Sequence, residues 1–183
     1  MENYRLEGKT FVIDDYDRLP AFSSFLPGLA GVKGIPMWTF YTNRGQGMNS
    51  FGIDNKGNAI MEFNSANTAF ENTTVKGFRT FLKIDGEYYE PFFKYEKEAK
   101  RQIRMNKNSF KIIETNEKYG IEVTVNYFIL PNESIGALVR QVSVKNISDS
   151  AKDIEVIDGL PKIITYGISN GEFKEMSNLF KSW

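Results

Sequence analysis

The segment YTNRGQGMNSFGI, residues 41–53, contains the side chains of this sequence best suited to binding chemistry. Arg44 can pair with a phosphate or a carboxylate through two parallel hydrogen bonds. Gly45 and Gly47 would let backbone amides approach an anion closely. No helix is predicted directly after the segment, so neither the dinucleotide-binding pattern nor the P-loop pattern applies. The residues alone therefore favour a turn in which glycine supplies positive φ and Arg44 ties two segments together, with ligand contact as the alternative.

Three acidic residues close to one another, Asp14, Asp15 and Asp17, form a second candidate group. Paired carboxylates carry out glycoside chemistry when they face each other across a sugar. These aspartates are instead neighbours on one predicted loop, and the Gly and Glu of a calcium-binding loop are missing. The pattern favours solvated acids in a turn over a metal or acid–base cluster.

Two further runs each allow two interpretations. The aromatic run YYEPFFKY, residues 88–95, is typical of a sugar-stacking platform or of a two-sheet core. The run RQIRMNKNSFK, residues 101–111, is a weak nucleic-acid motif, but glutamates flank it and favour a solvated strand edge.

Composition excludes several classes of function. The 183 residues include 23 Lys plus Arg and 23 Asp plus Glu, and a net charge of zero argues against a nucleic-acid partner. The absence of Cys and His removes thiol nucleophiles, disulfides, the usual zinc sites and histidine bases. The sequence shows neither an N-terminal secretory signal nor an apolar run long enough to span a membrane. These features predict a cytoplasmic protein without a membrane partner.

The elements that must position these groups are mostly strands with alternating apolar and polar residues. In the clearest case, Ile121, Val123, Val125 and Tyr127 share one face. Turn chemistry predicts hairpins at residues 55–58 and at Asp85–Gly86. Strands are predicted at 10–13, 38–42, 50–54, 59–63, 78–84, 87–93, 102–106, 110–116, 120–130, 136–146 and 152–160. This pattern predicts an all-β fold, an antiparallel two-sheet β-sandwich.

Three segments are predicted to depart from this strand pattern. Residues 14–36, rich in Pro and Gly, predict a long ordered loop, and residues 94–101 predict either a short helical turn or a solvated connection. Residues 169–183 predict a C-terminal helix capped by Ser169 or Asn170. Its apolar positions are Phe173, Met176, Leu179, Phe180 and Trp183. Because the sequence ends on this apolar face, we expect it to continue in a larger protein.

Four segments carry a resemblance to a known family: SFLPGLAG (24–31), GIP.W.FY.NRGQG (34–47), AIMEF..AN.A (59–69) and GFRTF (77–81). The later residues 142–179 fit the same pattern. Together they resemble the N-terminal domain of bacterial 1,2-β-oligoglucan phosphorylases, which are inverting glycoside phosphorylases related to cellobiose phosphorylase. The resemblance covers nearly the whole chain.

The resemblance implies that residues 1–183 form an incomplete N-terminal supersandwich of the galactose-mutarotase-like type. The general acid of such enzymes lies in an (α/α)₆ barrel that this sequence lacks, so no catalytic residue is carried over. Inorganic phosphate would be the co-substrate, with no cofactor or metal. The partners would be the barrel of the same polypeptide, a β-glucan oligosaccharide and a second copy in a homodimer. Near the barrel's cleft, the candidate substrate or interface contacts are Arg44, Gln46 and Asn43.

Three functions from different classes follow. The first is a non-catalytic domain that supports the barrel and its cleft, and it predicts an exposed apolar patch around the terminal helix. The second is a stand-alone carbohydrate-binding sandwich, and it predicts that the fragment binds glucan through Tyr88, Tyr89, Phe92 and Phe93. The third is a structural interaction module, which predicts neither sugar binding nor an effect of Arg44 on activity.

Overall fold

The computed structural model describes residues 3–94 and 96–180 as an antiparallel β-sandwich with short helices at its C-terminal end. Every pairing between named strands is antiparallel. The strands are β1 Tyr4–Glu7, β2 Thr10–Asp14, β3 Ser23–Ala30, β4 Ile35–Thr42, β5 Met48–Ile53, β6 Ala59–Met61, β7 Arg79–Ile84, β8 Glu87–Tyr89, β9 Ala99–Met105, β10 Ser109–Asn116, β11 Ile121–Leu130, β12 Ala137–Asn146 and β13 Ile154–Gly159. The helices are α1 Ala66–Lys76, α2 Asn170–Glu175 and α3 Ser177–Phe180.

One six-stranded sheet, in the order β1-β2-β9-β10-β11-β12, forms one layer. A four-stranded sheet, β3-β4-β5-β6, and a three-stranded sheet, β13-β7-β8, together form the opposite layer. The predicted all-β sandwich with a C-terminal helical segment is confirmed.

Side chains of all three sheets meet in one hydrophobic core. The predicted inner face of β11 is confirmed, since Ile121, Val123, Val125 and Tyr127 are all buried. They contact residues from the opposite layer such as Tyr41. Alternation along β11 thus gives the six-stranded sheet one buried face, while Glu122, Thr124 and Asn126 lie on its half-buried outer face.

The two predicted hairpins form. Asp85 and Gly86 both adopt positive φ, at 50° and 90°, and join β7 to β8, as an Asp-Gly turn of this type requires. Between β5 and β6, the Asn55 side chain accepts a hydrogen bond from the Gly57 amide at 2.8 Å. The sheet registers β7–β8 and β5–β6 are therefore set by local turn chemistry.

The predicted loop at residues 14–36 is wrong in its second half, which forms β3. Pro27 lies within this strand, opposite Trp38 of β4. Because β3 is the edge of its sheet, a proline can occupy it without breaking a ladder of hydrogen bonds on both sides. Pro and Gly signalled a loop, whereas the structure uses them in an edge strand.

Helix α1 was not predicted, and the predicted strand 59–63 ends at Met61. The α1 sequence ANTAFENTTVK is rich in Asn and Thr, which are weak helix formers, and its buried residues are only Ala69 and Thr73. No apolar stripe marks such a helix in the sequence. Its position comes from packing on the four-stranded sheet, where the Thr42 hydroxyl donates to Thr73 Oγ1 at 3.1 Å.

The predicted strand 87–93 is also too long, because β8 ends at Tyr89. Phe92 adopts a φ of 64°, and its amide donates to Glu114 Oε2 at 2.7 Å. This turn conformation cannot continue a strand. Of the alternatives for 94–101, no helix forms in the described residues of this segment, and β9 begins at Ala99.

The single helix predicted for 169–183 is divided into α2 and α3, and residues 181–183 lie outside the described part. The predicted cap at Ser169 is confirmed. Its hydroxyl accepts from the Glu172 amide at 3.2 Å, and the Glu172 carboxylate accepts from the Ser169 amide at 2.8 Å. Among the described residues, no helix has both the length and the apolar character needed to cross a membrane.

Candidate functional site

Residues 43–47 form a tight turn between β4 and β5. The turn is mostly buried, in contact with α1 on one side and with the core on the other. Gly45 and Gly47 both have positive φ, at 50° and 79°. A Cβ on Gly47 would lie 2.4 Å from Cε1 of Phe110, a fully buried ring. The turn therefore needs glycine both for its conformation and for its close approach to the core.

Asn43 ties the turn to the segment that follows β2. Its side-chain amide donates to the carbonyls of Tyr16 and Pro20 at 2.9 and 3.0 Å, and its Oδ1 accepts from the Phe22 amide at 2.9 Å. Asn43 is fully buried. Its hydrogen-bonding capacity is thus used in positioning the chain, and contact of Asn43 with a ligand stays a prediction.

Arg44 is the half-exposed residue of the turn. Its guanidinium donates to the carbonyls of Asn43 and Leu19 at 2.7 and 3.1 Å. Among the described residues it forms no ion pair with a carboxylate. Two of its five N–H donors are used in these bonds. Arg44 therefore both ties two segments together and keeps a charge and donors for an anion or a hydroxyl.

Gln46 belongs to a buried polar network that joins the three sheets. Its amide donates to Thr80 Oγ1 of β7 at 3.0 Å, and its Oε1 accepts from Arg140 of β12. Thr80 donates in turn to Asp158 Oδ1 of β13 at 2.6 Å. Because its amide already has partners on two sheets, contact of Gln46 with a ligand also stays a prediction.

Strand register brings this network together. Tyr127 lies opposite Arg140 in the six-stranded sheet, and Thr80 lies opposite Asp158 in the three-stranded sheet. Arg140 pairs with Asp158 across the layers, and its Nε donates to the Tyr127 hydroxyl at 3.3 Å. The two cross-strand pairs thus face each other, with Gln46 between them.

The electrostatics of this network follow from burial. Burial raises the pKa of Tyr127 to about 12, although the nearby Arg140 charge opposes the shift. Burial alone would lower the pKa of Arg140, but Tyr127 and Asp158 outweigh it and raise that pKa. Arg140 therefore stays charged and Tyr127 protonated at neutral pH, so neither of these two groups could act as a general base there.

A second buried cluster centres on Arg101 and Glu114, which lie opposite each other on β9 and β10. Arg101 Nε donates to Glu114 Oε2 at 2.6 Å, and Nη1 donates to Asp17 Oδ2 at 2.9 Å. The Tyr89 hydroxyl bonds the other Glu114 oxygen, and burial together with the Glu114 charge raises the pKa of Tyr89 well above its ordinary value. Since Glu114 is 1% exposed, substrate cannot reach its carboxylate, and the cluster fixes the fold.

The aspartates 14, 15 and 17 do not form a common site. Asp14 bonds Arg5 and Gln102, and Asp17 pairs with Arg101. No group of three or more carboxylates able to hold a metal ion occurs in the part of the chain that the structure describes. The favoured interpretation of solvated turn acids is wrong for two of the three: Asp14 is the last residue of β2, and the Asp17 side chain is 14% exposed and paired with Arg101.

The aromatic run 88–95 does not form a platform in its described residues. Tyr89 and Phe92 are buried in the core, at 5% and 1% exposure, whereas Tyr88 is 83% exposed. The Phe93 ring lies beneath the Arg79 guanidinium at 5.3 Å. Four rings that are adjacent in sequence therefore point to different environments.

The sequence matches no protein-family model, and no curated protein is significantly similar to it.

A cluster of rings missed by the sequence patterns lies on the outer face of the four-stranded sheet. We call Phe25, Trp38, Phe40 and Phe63 the aromatic cluster. Phe25 and Phe40 are cross-strand partners with ring centroids 4.9 Å apart, and Trp38 and Phe63 are 5.5 Å apart. The signal that could have found it is the alternation of Trp38 and Phe40 along β4, but pairing them with Phe25 required β3 to be recognised as a strand.

Proposed function

We propose that this chain is the non-catalytic N-terminal β-sandwich of a carbohydrate-active phosphorylase. In this proposal the whole enzyme cleaves β-1,2-linked glucooligosaccharides with inorganic phosphate and releases glucose 1-phosphate. The sandwich supports a helical catalytic barrel of the same polypeptide and shapes its cleft. The proposal rests on the resemblance of four segments to the 1,2-β-oligoglucan phosphorylases.

One structural observation supports treating those four segments as a unit. Phe25 of the first segment packs on Phe40 of the second at 4.9 Å, and Phe40 packs on Phe63 of the third at 5.6 Å. Gln46 of the second segment bonds Thr80 of the fourth at 3.0 Å. Residues far apart in sequence thus make direct contact, as expected if the shared motifs encode one packed element of a common domain.

The distribution of buried polar groups supports a supporting role rather than catalysis. In the networks around Arg140 and around Arg101, the polar side chains bond one another and hold strands together. Arg44 is the one member of the 43–47 turn with both charge and partial exposure. We therefore place the contact with the cleft, its substrate or its phosphate at Arg44.

The decisive measurement is phosphate-dependent release of glucose 1-phosphate by the complete polypeptide encoded by the gene. We expect release from β-1,2-linked glucooligosaccharides and none from the 183-residue chain alone. A complete polypeptide that leaves these glycans intact in the presence of phosphate contradicts the proposal.

The role of Arg44 is tested in the same assay with Arg44→Ala and Arg44→Lys. We expect both variants to lower kcat/KM, the lysine less, because lysine keeps the charge but loses the two-pronged hydrogen bonding. Unchanged kinetics together with an unchanged urea midpoint exclude a contact at Arg44.

A second candidate, a carbohydrate-binding module that acts on its own, is favoured by the aromatic cluster and not by residues 88–95. Phe25 is exposed and Trp38 and Phe63 are half-buried, so part of the cluster offers a surface on which a sugar ring can stack. The two candidates differ in whether the 183-residue chain binds glycan without a catalytic domain.

A further inference from the structure

A cleft of about 340 Å³ lies over the aromatic cluster. Its floor is aromatic and its rim is polar: it is lined by Phe25, Trp38, Phe63, Asp54, Asn55 and Lys56. Phe25 is 50% exposed, and the three rim residues are also exposed. Clefts of this size with an apolar floor and a few polar groups are typical of small-ligand sites.

The floor of the cleft is held in place by the backbone around it. Trp38 donates its indole N–H to the Asn55 carbonyl at 3.2 Å, and its ring lies over Gly52, where an added Cβ would be 2.8 Å from Trp38 Cζ2. The Phe63 amide donates to Asn170 of α2 at 3.0 Å. The rings are therefore oriented before any ligand arrives, which lowers the entropic cost of binding.

The spacing of the rings decides whether the cluster could enclose a cation in a cage or stack a ligand on its surface. A cage for a quaternary ammonium group must hold the cation between ring faces. Here the centroids of Trp38 and Phe63 are 5.5 Å apart, and those of Phe25 and Phe63 are 6.4 Å apart. Rings at these distances touch each other and leave no space for a cation between them. Phe25 and Phe63 are nearly parallel, at 29°, whereas Trp38 lies edge-on to Phe63 at 87°.

The rim decides between a nucleobase and a neutral ring. Strands of nucleic acid stack bases on aromatic side chains along a positively charged groove. The rim carries one acid, Asp54, and one base, Lys56, whose charges cancel. Such a rim suits hydroxyl groups, which both donate and accept hydrogen bonds.

We propose that the cleft over the aromatic cluster is a glycan-binding site that stacks the apolar C–H face of a pyranose ring on Phe25, with Trp38, inclined to Phe25 by 65°, at the edge of the sugar. The ring hydroxyls bond to Asp54, Asn55 and Lys56. The choice of a pyranose follows from the cleft alone, whereas the choice of a β-1,2-linked glucan rests on the proposed function.

The test uses the emission of Trp38 in the 183-residue chain. The sequence contains two tryptophans, so Trp183→Phe leaves Trp38 as the only indole. In this background the chain is titrated with β-1,2-linked glucooligosaccharides, with cellooligosaccharides and with oligothymidine. We expect a saturable change in emission with glycan, and Phe25→Ala should raise Kd about tenfold because one stacking ring is lost.

Matched variants separate stacking from general effects. Tyr88→Ala removes an exposed aromatic ring on another sheet and should leave Kd unchanged. Asp54→Asn keeps a residue suited to the positive φ of 57° and should raise Kd about threefold by weakening a rim hydrogen bond. It tests the site independently if Phe25→Ala does not fold.

Each outcome of the titrations either supports or contradicts the glycan-binding site. Binding of cellooligosaccharides alone, weakened by Phe25→Ala, supports the site and contradicts the β-1,2 linkage of the proposed function. The site is wrong if no glycan changes the emission of Trp38, if oligothymidine binds instead, or if Phe25→Ala only abolishes self-association. In each of these three cases the phosphorolysis assay still tests the proposed function separately.

Discussion

Arg140 of β12 and Asp158 of β13 belong to different sheets and form an ion pair that is partly open to solvent on the Asp158 side. The Arg140 side chain is 8% exposed and that of Asp158 is 31% exposed. Gln46, from the turn of the third sheet, bonds the same arginine. One side chain thus joins all three sheets, and the 43–47 turn has a structural role whether or not Arg44 contacts a ligand.

Removing the arginine should strongly destabilise the sandwich. Arg140→Ala removes the charged partner of Gln46 and Asp158, which then keep only Thr80 in common, and we expect the free energy of unfolding to fall by about 2–4 kcal/mol. This range lies below the full cost of a deeply buried pair because Asp158 is partly exposed. Urea unfolding followed by circular dichroism measures the change.

The matched control is Lys83→Ala. Lys83 of β7 and Glu155 of β13 also form an ion pair with one member on β13, but their side chains are 35% and 68% exposed. Such an exposed pair is screened by solvent, so its loss should change stability far less than the loss of Arg140. Equal losses in the two variants would show that Arg140 is no more than a surface ion pair.

Tyr127 should make the stability of the sandwich decrease at alkaline pH. Its pKa in the folded state is about 12, against an ordinary value of 10.0, so the folded state holds the phenol proton more tightly. Its contribution is therefore complete below pH 10 and is lost as the pH rises from 10 towards 12, by about 3 kcal/mol in total. Urea midpoints measured between pH 8 and pH 11 should decrease with rising pH.

Tyr127→Phe tests the source of this dependence. The variant lacks the titrating hydroxyl, so its midpoint should decrease less steeply above pH 10, although burial also raises the pKa of Tyr16 and Tyr89, and these residues keep part of the slope. Tyr88→Phe, at an 83% exposed position, is the control and should leave the slope as it is. Parallel profiles for Tyr127→Phe and the unchanged chain would contradict the assignment.

Gly47 should tolerate no side chain. In Gly47→Ala the alanine backbone must keep a φ of 79°, and the new methyl group would lie 2.4 Å from the buried Phe110 ring. We expect a loss of about 2–4 kcal/mol, from backbone strain and overpacking together. Gly86→Ala is the control, because its φ is 90° but nothing lies within 4 Å of the added Cβ, so it should lose only about 1–2 kcal/mol.

The sequence predicted the parts of the fold that local chemistry determines. The buried face of β11 and the Asp85–Gly86 turn could be predicted because each depends on a few adjacent residues. Strand β3 was missed because the tolerance of Pro27 depends on its position at a sheet edge, which is a property of topology. Helix α1 was missed because packing, not an apolar stripe, stabilises it.

The candidate site was predictable only in part, for the same reason. The need for glycine in the 43–47 turn follows from its sequence. The burial of Asn43, however, depends on the segment that follows β2, and that of Gln46 depends on the distant strands β7 and β12. The aromatic cluster likewise combines β3, β4 and Phe63, which are separated in sequence. Residues 88–95 looked more like a platform because their rings are consecutive, yet two of them serve the core.

The cap of α2 should affect the aromatic cluster. Ser169 forms a capping box with Glu172, and α2 carries Phe173, which packs in the same small core as Trp38 and Phe63. Ser169→Ala should cost about 1 kcal/mol and raise amide exchange across 170–175, with a shift in Trp38 emission in the Trp183→Phe background. Ser65→Ala is the matched control, since Ser65 occupies the N-cap position of α1 without a side-chain cap bond and should change stability by only a few tenths of a kcal/mol. If Ser169→Ala, like the control, leaves amide exchange across 170–175 unchanged, the capping box does not hold α2 against the sheet. The orientation of Phe63 must then come from its contacts within the aromatic cluster.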